Sequence, residues 1–186
     1  MNKNLRALVV LPTGAVKMGL NKLMHGKNFS GPMLCQISLL SEITFDRGGE
    51  LRIGAGFKMR DGAKLRVRKG AVCSMGRNAS IDSGNVINCQ QRIILGDDVT
   101  LSPNVQIYDH DHDYACEGGI AAMKYKTAPV EIGSNVWIGA NCVILRGTKI
   151  GDGCVIGANT VVKGEIPANS IVYQQRDTKI KIREKQ

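Results

Sequence analysis

The chain has 186 residues, enough for one domain with a substantial core, and it carries 22 glycines against an aromatic content of 4%. Its net charge of +9 admits an anionic partner, yet neither the aromatic-and-basic pattern of an RNA-binding sheet nor a helix-turn-helix pattern is present, which sets nucleic acid aside. No apolar run approaches the length that spans a bilayer, LRALVVLP has no good cleavage site, and the six cysteines form no CxxC pair, so the expected setting is reducing and cytoplasmic.

Residues 1–30 are basic and mixed, with Lys3, Arg6, Lys17, Lys22, His25 and Lys27 interleaved among Leu, Val and Met. LPTGAVKMGLNKLMHG predicts a short amphipathic helix or an irregular cap over whatever follows, with a membrane-surface role as the weaker alternative. His25 reads as a surface or capping residue. From about Ile37 a strand-like alternation begins through Ile43, Leu51, Ile53, Met59, Leu65 and Val67, punctuated by GG, GAG and DG corners. A six-residue spacing follows at Ile81, Ile87 and Ile93, then restarts two residues late at Leu95, Leu101 and Ile107. The period stops at YDHDHDYACEGGIAAMKYKTAPVE, an excursion that must leave the repeat as a loop, and loops of that size inside compact domains are usually functional.

Between Val130 and Val172 the repeat is clearest. Ile132, Ile138, Ile144, Ile150, Ile156 and Val162 each open a hexad; the fourth place holds Asn135, Asn141, Gly147, Gly153 and Asn159; the fifth holds Val136, Cys142, Thr148, Cys154, Thr160 and Ile166. A branched residue fills an interior position, a small one packs beside it, and Asn or Gly accepts the left-handed backbone of a corner. A helix needs apolar spacing of three and four, so this period predicts a parallel β-helix, whose coils bury a core only by stacking. Cys142 and Cys154 take interior slots as small hydrophobes. The expected layout is one domain, with a cap over 1–30, a β-helix over 31–172 holding a loop at about 108–130, and a tail over 173–186 that forms an edge strand or a helix.

Two of the three histidines, His110 and His112, sit at the mouth of the excursion among Asp109, Asp111 and Asp113. A neutral imidazole is the usual general base near neutral pH, and a nearby carboxylate can orient its ring. A solvated acidic turn and a metal site are the rival readings. A histidine-only zinc site needs a third histidine and only the remote His25 is left, so no metal is expected. Trp137 either packs the base of the loop or walls a pocket.

LGDDVTLSPNVQIYDHDHDY, the excursion, and VEIGSNVWIGANCVILRGTKIGDGCVIGANTVV together resemble the hexapeptide-repeat acyltransferases, in particular the galactoside, maltose and colanic-acid O-acetyltransferases and the related xenobiotic acetyltransferases, over roughly residues 76–172. The resemblance implies a left-handed β-helix with three faces per coil, a homotrimer with its active site between subunits, and acetyl-CoA as acyl donor to a carbohydrate acceptor. Ungapped spacing from Leu95 puts the family's catalytic base at His112, with His110 two residues earlier, and its tryptophan at Trp137. An acceptor-side Asn of the family falls on Asp82, leaving Asn85 and Asn88 as nearby candidates for substrate binding. Coenzyme contacts fall at Ala140 and Ala158, and the family's Thr-Lys pair reads Lys163-Gly164. The usual closing segment is replaced by YQQRDTKIKIREK, which leaves the adenine end without an assignment, Arg176 and Lys179 included. The function implied is transfer of an acetyl group to a sugar hydroxyl in surface-polysaccharide biosynthesis. The alternatives are acetylation of an amino sugar or a drug, or a non-catalytic β-helix scaffold.

Overall fold

A computed structural model of the chain describes residues 3–175 and 177–182, with side chains from Val10 onward. Among these residues the β-helix is built of three parallel sheets of seven, seven and six strands, one sheet per face of a left-handed triangular prism. The first face begins with Phe29–Ser30 and Glu50–Ile53, the second with Gln36–Ile37 and Lys58–Met59, the third with Glu42–Phe45 and Lys64–Val67. Each face then gains one strand per coil. The faces close at Glu165–Ile166, Ile171–Val172 and Val161–Val162 respectively.

The hexad register explains the prism. Ile132, Ile138, Ile144, Ile150, Ile156 and Val162 are all buried, and the fifth-place residues Val136, Cys142, Thr148, Cys154 and Thr160 are buried beside them. Cys142 Sγ lies 3.0 Å from Gly157 O and Cys154 Sγ 3.1 Å from Pro167 O, so both thiols spend their weak polarity on the next coil, and all six cysteines are free. At the corners Asn104, Asn141 and Asn159 hold φ of +59°, +58° and +59° and stack into a ladder, Asn104 Nδ2 donating to Asn141 Oδ1 at 3.2 Å and Asn141 Nδ2 to Asn159 Oδ1 at 3.3 Å. Gly139 is required by closeness rather than by φ. A Cβ there would stand 2.6 Å from Ala158 N on the coil above.

The two-residue restart at Leu95 has a simple cause. Arg92–Leu95 is a four-residue strand that turns both Ile93 and Leu95 inward, as Leu51 and Ile53 or Cys73 and Met75 do on the same face. Ile93 ends one count of six and Leu95 starts the next.

The cap differs from the expectation. Helix α1 runs Lys3–His25, through Pro12, and so reaches further back than the amphipathic stretch predicts. It lies across the first coil, where Met18 is buried and Gly14 passes so close that a Cβ would meet Cys35 O. Lys17 Nζ donates to the carbonyls of Ser38, Leu39 and Ser41 at 2.8, 3.1 and 2.5 Å, closing the open end of the coil, and the His25 ring packs 4.1 Å from the centre of Phe45. The strands begin at Phe29 rather than Gly31.

At the other end the tail forms neither an edge strand nor a helix among its described residues. Instead the Gln174 side chain accepts from Val161 N at 3.3 Å and donates to Val161 O at 3.2 Å, replacing one rung of the strand that would have followed.

Candidate active site

Alternation carries the third-face strand Gln106–Tyr108 one step further than expected. Ile107 points in, Tyr108 points out, and Asp109 points in again and is fully buried. A carboxylate in a core position needs donors, and Asp109 has them. Oδ1 accepts from Gln90 N at 2.8 Å, and Oδ2 accepts from Gln91 N and Arg92 N at 2.7 Å each. His110 Nδ1 lies 3.1 Å from Oδ1. Burial pushes the Asp109 carboxyl up, but the His110 contact and the three backbone N–H groups outweigh it and hold the group below the usual carboxylate range. Asp109 is therefore an anion inside the coil, and it anchors the point where the excursion departs.

The excursion is a hairpin rather than an unstructured loop. His110–His112 pairs antiparallel with Tyr125–Thr127, in register His110 with Thr127 and His112 with Tyr125, and Ala128 N closes the base on Asp109 O at 2.9 Å. Arg146 Nε reaches Asp111 Oδ2 at 2.5 Å and ties the hairpin to the next coil, while Lys126 Nζ pairs with Asp113 Oδ1 at 3.1 Å across the hairpin. Asp111 and Asp113 are thus engaged with cations. The carboxylate that orients an imidazole is Asp109, and the imidazole is that of His110.

The two histidines have different surroundings. The His110 side chain is only 9% exposed, held edge-on between Tyr108 at 5.9 Å and Tyr125 at 5.2 Å between ring centres. His112 is exposed, and its ring lies 4.8 Å from the same Tyr125. Tyr125 is the shared wall, and sequence reasoning missed it, as it missed Arg146 and the inward turn of Asp109. Carrying the period-two alternation one residue past Ile107 identifies Asp109 as a core position; no comparable signal marks Tyr125.

The remaining expected site residues are spread over the prism. Asn88 faces outward on the third face between Arg66 and Tyr108, next to the root of the hairpin, and its Oδ1 is buried with no hydrogen bond within the chain. Asp82 lies beyond the second-face strand Ser80–Ile81 and accepts from Ser83 N at 2.7 Å. Asn85 requires correction. It is fully buried, with Oδ1 accepting from Val105 N at 2.5 Å and Nδ2 donating to Leu101 O at 3.4 Å, so its amide holds adjacent coils together and presents nothing to a substrate.

Trp137 does not pack the base of the loop. It opens the second-face strand Trp137–Ile138, half exposed, donates from Nε1 to Ser102 Oγ at 2.9 Å, and walls a shallow pocket of about 280 Å³ with Asp98, Thr100 and Asn135. The hairpin springs from the corner between the third and first faces, so one chain carries His112 and Trp137 on different parts of the prism. Ala140 and Ala158 sit one above the other at the corner between the second and third faces, where Asn159 N donates to Ala140 O at 2.8 Å. Lys163 is exposed at the far end of the third-face strand Val161–Val162. Arg176 lies outside the described residues. A groove of about 590 Å³ between the first and second faces carries Glu131, Asp152 and Glu165 against Lys149 alone, a charge that does not suit a phosphate. Among the described residues no three of His, Cys, Asp and Glu converge as metal ligands.

The family model described as bacterial transferase hexapeptide (six repeats) matches residues 129–164. An Escherichia coli protein, WbbJ, whose name assigns it to lipopolysaccharide-biosynthesis O-acetyl transfer, is 30% identical over 132 residues, covering 67% of each chain. The chain belongs to the hexapeptide-repeat acetyltransferase family. Within that family, the galactoside O-acetyltransferase of E. coli is 36% identical over 97 residues, 52% of this chain and 47% of that one. A Mycobacterium tuberculosis protein named as an acetyltransferase is 39% identical over 99 residues, 52% of this chain and 32% of its own length. Across these three relatives the chain spans from about a third to two thirds of their length. The fold is shared with AntD, an N-acyltransferase from Bacillus cereus solved with dTDP and 3-hydroxybutyryl-CoA, at 21% identity and a TM-score of 0.67, with 83% of this chain and 81% of that one covered. It is also shared with a Vibrio cholerae hexapeptide-repeat acetyltransferase solved with acetyl-CoA, at 21% identity and a TM-score of 0.58 over 89% of this chain and 78% of that one.

Proposed function

We propose that the protein is an acetyl-CoA-dependent O-acetyltransferase acting on a sugar hydroxyl in surface-polysaccharide biosynthesis. The observation that carries this reading is His112, an exposed imidazole on a hairpin that a buried Asp109–His110 pair fixes to the coil, in a chain of the hexapeptide-repeat acetyltransferase family. The names of the two E. coli relatives support a sugar hydroxyl, and the ligands named for the Bacillus and Vibrio structures support a CoA thioester.

In this reading His112 takes the proton of the acceptor hydroxyl as that oxygen attacks the thioester carbonyl carbon. Backbone N–H groups at the coil edge stabilise the oxyanion. The tetrahedral intermediate collapses by breaking the C–S bond, and the imidazolium returns its proton to the departing thiolate. Every proton taken up is given back, so no metal or covalent enzyme intermediate is needed. His110 acts through position: Asp109 fixes its ring, its edge rests on Tyr125, and Tyr125 backs His112. Asn88 meets the acceptor in this reading, and the pantetheine arm runs past the corner at Ala140 and Ala158.

A second reading, transfer to an amino sugar, draws on the N-acyltransferase title of the Bacillus neighbour. One sugar offered with either a hydroxyl or an amine at the same carbon separates the two. An ester product lost in mild alkali is expected; an alkali-stable amide formed faster favours the second reading.

In this reading the active site is completed between copies, an arrangement supported by His112 and Trp137 standing on different parts of one prism. Light scattering is therefore expected to give three times the chain mass, and a monomer mass at assay concentration would contradict the shared site. Coenzyme binding should be electrostatic at its phosphate end, given the net charge of +9 and the exposed Lys163. The Debye length falls from about 8 Å at 0.15 M salt to about 3 Å at 1 M. Calorimetric affinity for CoA should weaken steadily over that range; an affinity indifferent to salt would place the binding in backbone and apolar contacts.

A further inference from the structure

Helix α1 is apolar on both sides. Its inner face, through Gly14, Met18 and Asn21, seals the first coil. At 100° per residue the opposite face carries Val16, Leu20, Leu23 and Met24, every one more than half exposed. Leu39 and Leu40, on the turn whose carbonyls Lys17 grips, are likewise more than half exposed. A surface helix normally turns its polar side outward, whereas α1 turns an apolar one outward as well, although capping alone requires only the inner face.

Charge says what covers it. The first 41 residues hold Lys3, Arg6, Lys17, Lys22 and Lys27 and no acidic residue, the first being Glu42. Among the described residues Lys22 and Lys27 are exposed at the capped end of the prism, while Lys17 is turned onto the carbonyls of the first coil. Apolar side chains flanked by the exposed Lys22 and Lys27, neither paired with a carboxylate among the described residues, match the interface of an anionic bilayer, where side chains such as Leu and Met enter the acyl boundary and Lys meets phosphate. A second copy presenting the same surface would oppose like charges. No described helix is long and apolar enough to cross a membrane, so the mode that fits is one lying along the surface.

We infer that the outer face of α1 docks the protein on an anionic lipid surface, with the β-helix standing away from it. The inference is independent of the acetyl-transfer reading, since none of these residues belongs to the candidate active site. The test is flotation of the full chain with phosphatidylcholine vesicles and with mixed phosphatidylcholine–phosphatidylglycerol vesicles, for the wild type, L20E/L23E and the milder L23Q. Partitioning of the wild type to the anionic vesicles should exceed that to neutral ones by about tenfold or more at about 0.15 M salt. It should fall with L23Q and vanish with L20E/L23E, while both variants keep the wild-type melting curve and thiol-release rate with a water-soluble acceptor. Equal partitioning to neutral and anionic vesicles, or partitioning unchanged in both variants, would overturn the inference. Failure of the wild type to float while L20E/L23E breaks up a larger assembly would overturn it in favour of a second copy as the occupant.

Discussion

His112→Ala is expected to lower kcat by about 10²–10⁴-fold with the KM for acetyl-CoA nearly kept, the loss typical of removing a general base. The split between the parameters matters because a hairpin that merely collapsed would damage coenzyme binding as well. His110→Ala should cost much less. Its ring is the inner member of the series Asp109–His110–Tyr125–His112, so its removal loosens the placement of His112 without deleting the proton acceptor. If the two variants exchange behaviour, His110 is the base and the count from Leu95 misassigns the pair. If both remain fully active, neither imidazole takes the proton.

The largest stability effect is expected at Asp109. Both its oxygens accept hydrogen bonds inside the coil, so Asp109→Asn must point an amide N–H₂ either at Gln90 N and His110 or at Gln91 N and Arg92 N. Donor facing donor in a buried site costs on the order of 3 kcal/mol, which for a chain of this size lowers the melting temperature by about 6–12 °C. The wild type carries the matching pH dependence. Because folding depresses this carboxyl, its contribution is fully present above the ordinary Asp pKa of about 3.9 and is lost as pH falls through the lower folded value. Melting temperatures compared at neutral and strongly acid pH should therefore converge between wild type and Asp109→Asn as acid is added. A constant gap would mean that the carboxylate charge is not what holds this corner.

The β-helix was legible wherever one residue type could do one job. Ile132 through Val162 fill the interior at every sixth place, and Asn135, Asn141 and Asn159 take the left-handed corners, because few other residues tolerate those positions. The first coils were harder to place, because four-residue strands such as Val72–Met75 bury two residues each and shift the count. The hand of the coil follows from family resemblance alone; the usual right-handed preference of parallel crossovers points the other way. In the site, spacing could set His110 and His112 at the mouth of the excursion but could not tell their roles. Asp109 looked like one of three equivalent acids, and only its inward position and three backbone donors separate it from Asp111 and Asp113. Asn85 misled because only its nearness in sequence to Asp82 pointed to it, whereas its amide spans two coils from inside. The outward apolar face of α1 could not be read at all until its inner face was known.

In the proposed function an exposed histidine on a folded hairpin moves an acetyl group from a CoA thioester to a sugar hydroxyl. The most direct measurement follows free thiol released from acetyl-CoA by the 186-residue chain across a panel of mono- and oligosaccharide acceptors. Release that saturates with acetyl-CoA, requires a hydroxyl-bearing acceptor, and yields one equivalent of acetylated sugar per thiol is the predicted result. Thiol release no faster with any acceptor than in buffer alone, from a protein that nonetheless binds those sugars, would contradict it and leave the β-helix as a binding scaffold.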